Sequence, residues 1–124
     1  MIDTNFEYAD SRWQDIYLYL KKSGVEVYPP ATKVGECISE YVVLKNNGSS
    51  KHISFSTDND FYSIMCYVPK DKYSTLEPFV QKIKTLMNGL KPMILPRGVQ
   101  SPSYYDDSYK AHMISIEYKN YKKL

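Results

Sequence analysis

The 124-residue chain has two cysteines, two histidines and one tryptophan, and no long apolar run. Each scarcity excludes something. Without a stretch of the ~18–20 apolar residues that a spanning helix needs, no membrane helix is expected. The opening Met1-Ile2-Asp3-Thr4-Asn5-Phe6-Glu7 has neither a basic start nor an apolar core, so no secretory signal is expected. Cys37 and Cys66 are then read as free thiols, Cys66 as a small buried hydrophobe, rather than as a disulfide. Sixteen basic against fourteen acidic residues leave a net charge of +2, too balanced to indicate a nucleic-acid or membrane partner.

Chemistry is as thinly provided for. Nucleophilic catalysis needs a Ser or Cys beside a base that a third group orients. His52 and His112 each fall in an expected strand with no motif around them, and read as polar residues on sheet faces. Zinc ligands cluster in closely spaced pairs; Cys37, His52, Cys66 and His112 are isolated. Asp58-Asn59-Asp60 begins like a calcium loop. However, Ser63 stands where the loop requires glycine and Pro69 where it requires a bidentate glutamate. Asp106-Asp107 reads as a loop cap, and no glycine-rich phosphate loop is present. No catalytic, cofactor or metal site is expected, and an unrecognised one would need a deep pocket holding two titratable groups.

Tyrosine is what the chain has in abundance, with thirteen. Its apolar ring and single hydroxyl suit half-buried sheet faces and protein interfaces alike. Interleaved with lysine, as in Tyr118-Lys119-Asn120-Tyr121-Lys122, it could stack on single-stranded nucleic acid. No strand carries the glycine–aromatic pattern of RNA-recognition modules, and specific nucleic-acid binding is not expected.

Periodicity organises the rest. Ser11-Arg12-Trp13-Gln14 has the form of a capping box. Trp13, Ile16, Tyr17 and Leu20 then follow one helical face, closed by Lys21, Lys22 and Gly24. Residues 25–28 form a short strand ended by Pro29-Pro30. Strand-like runs at 38–45, 51–56 and 60–68 are divided by turn compositions at 46–50 and 57–60, predicting a three-strand antiparallel meander. Residues 61–68 are apolar on both faces except at Ser63, predicting a central strand covered on both sides. Ser74-Thr75-Leu76-Glu77 offers a second capping box, and Leu76, Phe79, Val80, Ile83, Leu86, Met87 and Leu90 a second helical stripe, ended by Gly89. A strand at 93–95 stops at Pro96, residues 97–107 form a long loop, and 110–118 alternate as a strand. The order is α-β-β-β-β-α-β-β. It predicts one α+β domain over residues 1–124, with two amphipathic helices on one mostly antiparallel sheet.

Pro29-Pro30-Ala31-Thr32-Lys33-Val34-Gly35-Glu36-Cys37, followed by Ser39-Glu40-Tyr41-Val42-Val43-Leu44, resembles a segment of the tail terminator and minor capsid (head–tail neck) proteins of tailed bacteriophages. The order of elements over about residues 8–120 is similar too. The resemblance implies a virion protein, assembled in the host cytoplasm, that forms a homo-oligomeric, hexameric ring. Such a ring sits on the last ring of tail tube protein, stops polymerisation and offers a surface to the head connector. A ring closes through two different patches per subunit. The long loop and its tyrosines supply expected interface residues: Arg97, Gln100, Tyr104, Tyr105 and Tyr109. Alternatives are another neck component, a tail assembly chaperone, or a small nucleic-acid-binding regulator of a mobile element.

Overall fold

The computed structural model describes residues 12–51 and 57–123. Helix α1 (Trp13–Lys22) is followed by strands β1 (Val27–Tyr28), β2 (Tyr41–Lys51) and β3 (Thr57–Pro69). A 3₁₀ segment (Lys70–Thr75) leads into helix α2 (Leu76–Met87), and a shorter one (Asn88–Leu90) leaves it. Strands β4 (Ile94–Gln100), β5 (Tyr104–Asp106) and β6 (Ala111–Lys123) complete the chain. The sheet runs β1-β2-β3-β6-β4, with β5 also paired to β6. Only β1 is parallel to its neighbour, Val27 lying beside Val42. The architecture is α+β, two helices on a mostly antiparallel sheet, as the periodicity predicts.

Both helices lie on one face. Inward residues of α1 (Ile16, Leu20) and α2 (Leu76, Phe79, Val80, Ile83, Met87) meet Leu44, Tyr62, Ile64, Cys66, Val68, Ile114 and Ile116 in a single buried cluster. Each fully buried aliphatic side chain there contributes about 1.5–3 kcal/mol relative to exposure. The end of α1 follows the sequence closely. Gly24 takes φ 91°, the Gly24 N–H bonds the Lys21 carbonyl, and the Val25 N–H bonds the Leu20 carbonyl at 3.0 Å. That double bond pattern is a Schellman cap, with Val25 and Leu20 both in the core.

The start of α2 differs from expectation, and that of α1 is held by tertiary contacts. The first helical residue is Trp13 with Arg12 at the cap position and no side-chain cap; Ser11 lies outside the described residues. The Arg12 N–H instead donates to the Tyr62 hydroxyl at 2.9 Å, and the Trp13 indole to the Leu44 carbonyl at 2.9 Å. Tertiary partners thus hold the start of α1 against the sheet. Nor does Ser74–Glu77 form a capping box. Thr75 holds the cap position without a cap bond, its hydroxyl turning back to the Lys72 carbonyl, because a 3₁₀ segment already leads the chain into α2.

The three-strand meander is corrected to a hairpin of two long strands. Residues 46–50 do not reverse the chain; they carry β2 through a bulge between Asn46 and Ser49. Gly48 at φ 98° and the Asn46 side chain, which accepts the Gly48 N–H at 2.7 Å, supply the kink. Residues 57–60 are not a turn either, since they begin β3 and pair with β2 on one side and β6 on the other. Of the expected strand at 51–56, Lys51 ends β2 and 52–56, with His52, lie outside the described residues.

Pro96 does not stop β4, which continues to Gln100. The strand is at the sheet edge, where proline is tolerated. The expected loop at 97–107 is therefore partly strand, holding the end of β4 and all of β5. Cover over β3 is complete on the helix side and partial on the other. There Tyr67 is buried, while Phe61 and Met65 are half-exposed.

Candidate assembly surface

The face turned away from the helices has its own small core at one end. The loop 29–40 crosses the sheet end there, and the Cys37 N–H donates to the Tyr109 carbonyl at 2.7 Å. Cys37, Tyr41, Tyr67 and Ala111 are buried together, with Tyr28, Val43, Met65, Tyr109 and Met113 against them. The rings interlock: Tyr41 stacks on Tyr67 at 4.9 Å, Tyr28 meets Tyr41 edge-on at 5.5 Å, and Tyr109 meets Tyr67 edge-on at 6.0 Å. Lys33 lies over Tyr41 at 5.2 Å and over Tyr28 at 5.9 Å, so the loop is held at Lys33 as well as at Cys37. Burial raises the Cys37 thiol above its usual value against the opposing pull of Lys33, and pushes the Tyr67 hydroxyl up to about 12. Both stay protonated at neutral pH. Both cysteines are free and Cys66 is buried, as expected, and Cys37 is buried as well.

The fastened loop presents Val34 and Ile38 to solvent, each 83% exposed. Buried Cys37 sits between them in sequence and exposed Glu36 beside it. Two aliphatic side chains are thus held in solvent on an anchored loop.

A second surface lies at the opposite edge of the sheet. The β4 ladder slips between Pro96 and Gln100, with Gly98 at φ 76°. The bulge opens a groove of about 350 Å³ between β4 and α2, lined by Gln81, Lys84, Asn88, Pro96, Val99, Gln100 and Ile116 among others. Lys84 donates to the Gln100 side-chain oxygen across it at 2.5 Å. Val99 is 48% exposed at its rim.

The five expected interface residues do not form one patch. Arg97 reaches over the helix-free face, its guanidinium 4.3 Å from the Phe61 ring centre and 3.0 Å from Glu117. Gln100 turns to the helix side and Lys84. Tyr104 and Tyr105 are adjacent in a strand and therefore point to opposite faces. Both are exposed, Tyr105 lying 5.2 Å from His112 and Tyr104 standing opposite Met113. Tyr109 is half-buried in the small core and acts mainly to hold the loop. His112 also packs edge-on to Tyr73 at 4.7 Å, and one ring nitrogen lies 3.0 Å from the Lys70 carbonyl. Sequence reasoning missed Val34, Ile38, Tyr73 and Val99. No local signal marks Val34 and Ile38 as exposed, since every residue from 34 to 40 but Cys37 faces water.

Among the described residues no three His, Cys, Asp or Glu side chains gather as metal ligands, and no helix is long and apolar enough to cross a membrane. What the arrangement offers chemically is contact area: two exposed aliphatics on an anchored loop, and a mixed polar and apolar groove at the other edge of the sheet. No protein-family model matches the chain, and no curated protein sequence does.

Proposed function

We propose that the protein is a non-catalytic assembly subunit that forms a closed ring, hexameric in the reading taken from the segment at 29–44, on the end of a phage-type tail tube. It would act in the virion neck, blocking addition of further tube subunits and offering the head connector a docking face. The observation that supports this reading best is the anchored loop with Val34 and Ile38 exposed, together with a differently built patch at β4. Two aliphatic side chains held in water on a fixed loop are available for contact with a partner. A head-to-tail ring needs two unlike patches per subunit.

Native mass measurement of the purified protein, alone and mixed with tail tubes, tests it. The expected species is near six times the 14.5 kDa chain, or tubes capped by it. A chain that stays monomeric and never joins tubes refutes the reading.

A further inference from the structure

We infer that the loop 29–40 is a strap with two states, closed over the stacked Tyr41 and Tyr67 rings and able to swing off them while the sheet stays folded. The strap works the same way whether or not the chain forms a ring. Of residues 29–40 only Cys37 is buried. Among the described residues, the one backbone hydrogen bond from the loop to another part of the chain belongs to the same residue, from the Cys37 N–H to the Tyr109 carbonyl at 2.7 Å. The Cys37 thiol bonds within the loop, to the Ser39 carbonyl at 3.3 Å. Lys33 adds its contacts with the Tyr28 and Tyr41 rings. At the loop's end Ser39 reaches Glu26 at 3.5 Å and Glu40 reaches Lys82 at 3.9 Å, both at the surface. A segment held by one buried side chain opens at lower cost than the strands beneath it.

Closure also works against strain at two places. Ala31 takes φ 65°, a left-handed conformation that a residue with a Cβ rarely adopts, and is itself exposed. Under the loop, the Tyr41 hydroxyl is buried without a hydrogen-bond partner among the described residues, in a side chain 1% exposed. Opening hydrates that hydroxyl and releases Ala31, so both oppose the closed state. Burial of Cys37, its bond to Tyr109 and the Lys33 ring contacts favour it. Small opposing contributions of this kind make a two-state element. Val34 and Ile38 travel with the strap, so whatever grips them in one state shifts the balance towards that state.

Amide hydrogen exchange followed by NMR tests the strap, with the Cys37 N–H reporting the loop and the Cys66 N–H, in the central strand, reporting the sheet. In the unmodified chain the Cys37 amide is expected to exchange faster than that of Cys66 and, unlike it, at a rate that low urea leaves unchanged. The closed state prevails, so the thiol stays shielded from a brief labelling pulse while exchange over hours registers the rare openings. Tyr41→Phe removes the unpartnered hydroxyl and should slow Cys37 exchange by roughly 5–10-fold. Ala31→Pro cannot take a positive φ, and should abolish protection at Cys37 while Cys66 keeps most of its own. A Cys37 amide that exchanges in step with Cys66 across urea overturns the strap. So does Tyr41→Phe exchanging as fast as the unmodified chain or faster, the result expected if an internal water satisfies the hydroxyl. Equal loss of protection at both positions in Ala31→Pro overturns it too, since the loop would then open only with the sheet.

Discussion

Gly89 is placed where a single methyl group should reveal how the two helices are locked together. Tyr19, on α1, donates its hydroxyl to the Leu86 carbonyl near the end of α2 at 2.5 Å. A Cβ on Gly89 would come within 2.3 Å of that hydroxyl oxygen and 3.3 Å of the ring carbon bearing it. Gly89→Ala must therefore push the hydroxyl away, losing a bond worth about 1 kcal/mol. Crowding of a packed ring adds about 1–2 kcal/mol. Against this, Gly89 has no left-handed backbone to protect, so the alanine gains about 0.4–1 kcal/mol from a stiffer unfolded chain. The net destabilisation is about 1–2 kcal/mol. In a Tyr19→Phe background the closest clash is gone and the remaining one needs only a small ring shift. There Gly89→Ala should be neutral or stabilise by roughly a few tenths of a kcal/mol, the unfolded-state gain alone. Urea unfolding followed by Trp13 fluorescence measures the cycle. With a slope of about 1–3 kcal/mol per molar urea, the single alanine should lower the midpoint by roughly 0.5–1 M. An equal loss in both backgrounds refutes the reasoning, because the effect would then owe nothing to the tyrosine hydroxyl.

Three further outcomes follow from the same packing. Burial pushes the Tyr67 and Tyr118 hydroxyls up to about 12 from an ordinary 10. Their contribution is thus complete below pH 10 and is lost as pH rises towards 12, since the unfolded chain releases its protons first. Each should remove on the order of 1–3 kcal/mol across that window. Unfolding midpoints measured alongside tyrosinate absorbance should show stability falling before the folded-state titration, and a flat profile from pH 9 to about 12 would contradict the assignment. Cys37 and Cys66 are 2% and 0% exposed, and burial raises both thiols. A thiol-specific reagent should label neither in the native protein and both after denaturation, so rapid native labelling would exclude the placement of the loop 29–40. Ile64→Ala, in the middle of the helix-side core at 0% exposure, should cost about 2–5 kcal/mol. Val43→Ala, half-exposed on the other face, should cost about 1 kcal/mol by chemical denaturation, and equal costs would mean that both faces are equally covered.

What the sequence made legible was whatever repeats with the period of an element. Ile16, Leu20, Leu76, Val80 and Ile83 declare two helices that must lie on something flat, and residues 112–118 alternate as only a strand does. The errors share one cause. Glycine, asparagine and proline report a local backbone need and do not report whether the chain reverses. Gly48 with Asn46 serves a bulge inside β2, Asp58 and Asn59 occupy ladder positions, and Pro96 sits on an edge strand. The Ser74–Glu77 box failed for a related reason, as the 3₁₀ segment leading into α2 leaves Thr75 at the cap with its hydroxyl on the Lys72 carbonyl. The candidate surface was half legible. Tyr104, Tyr105 and Arg97 are exposed residues of types that interfaces favour, yet nothing local separates Val34 and Ile38 from buried aliphatics. Their exposure follows from Cys37 turning inward onto Tyr109.

The form of the sheet edges limits how copies of this chain could join. Sheet continuation from subunit to subunit needs two straight, unoccupied strand edges in register. At one side β1 is only two residues long, and just beyond it the Leu44 carbonyl is taken by the Trp13 indole. At the other side β4 is broken by its slip between Pro96 and Gln100, with proline supplying no N–H at 96. Both edges are thus blunted against strand addition, which protects the free chain from indiscriminate pairing. On the proposed ring reading, a seam between copies is then carried by side chains and not by a backbone ladder. Side-chain seams concentrate their energy in few residues. On that reading, single substitutions at the exposed Val34, Ile38 or Val99 should disrupt assembly, read by native mass measurement, far more than they lower the unfolding midpoint, whereas a continuous backbone ladder would tolerate any one of them.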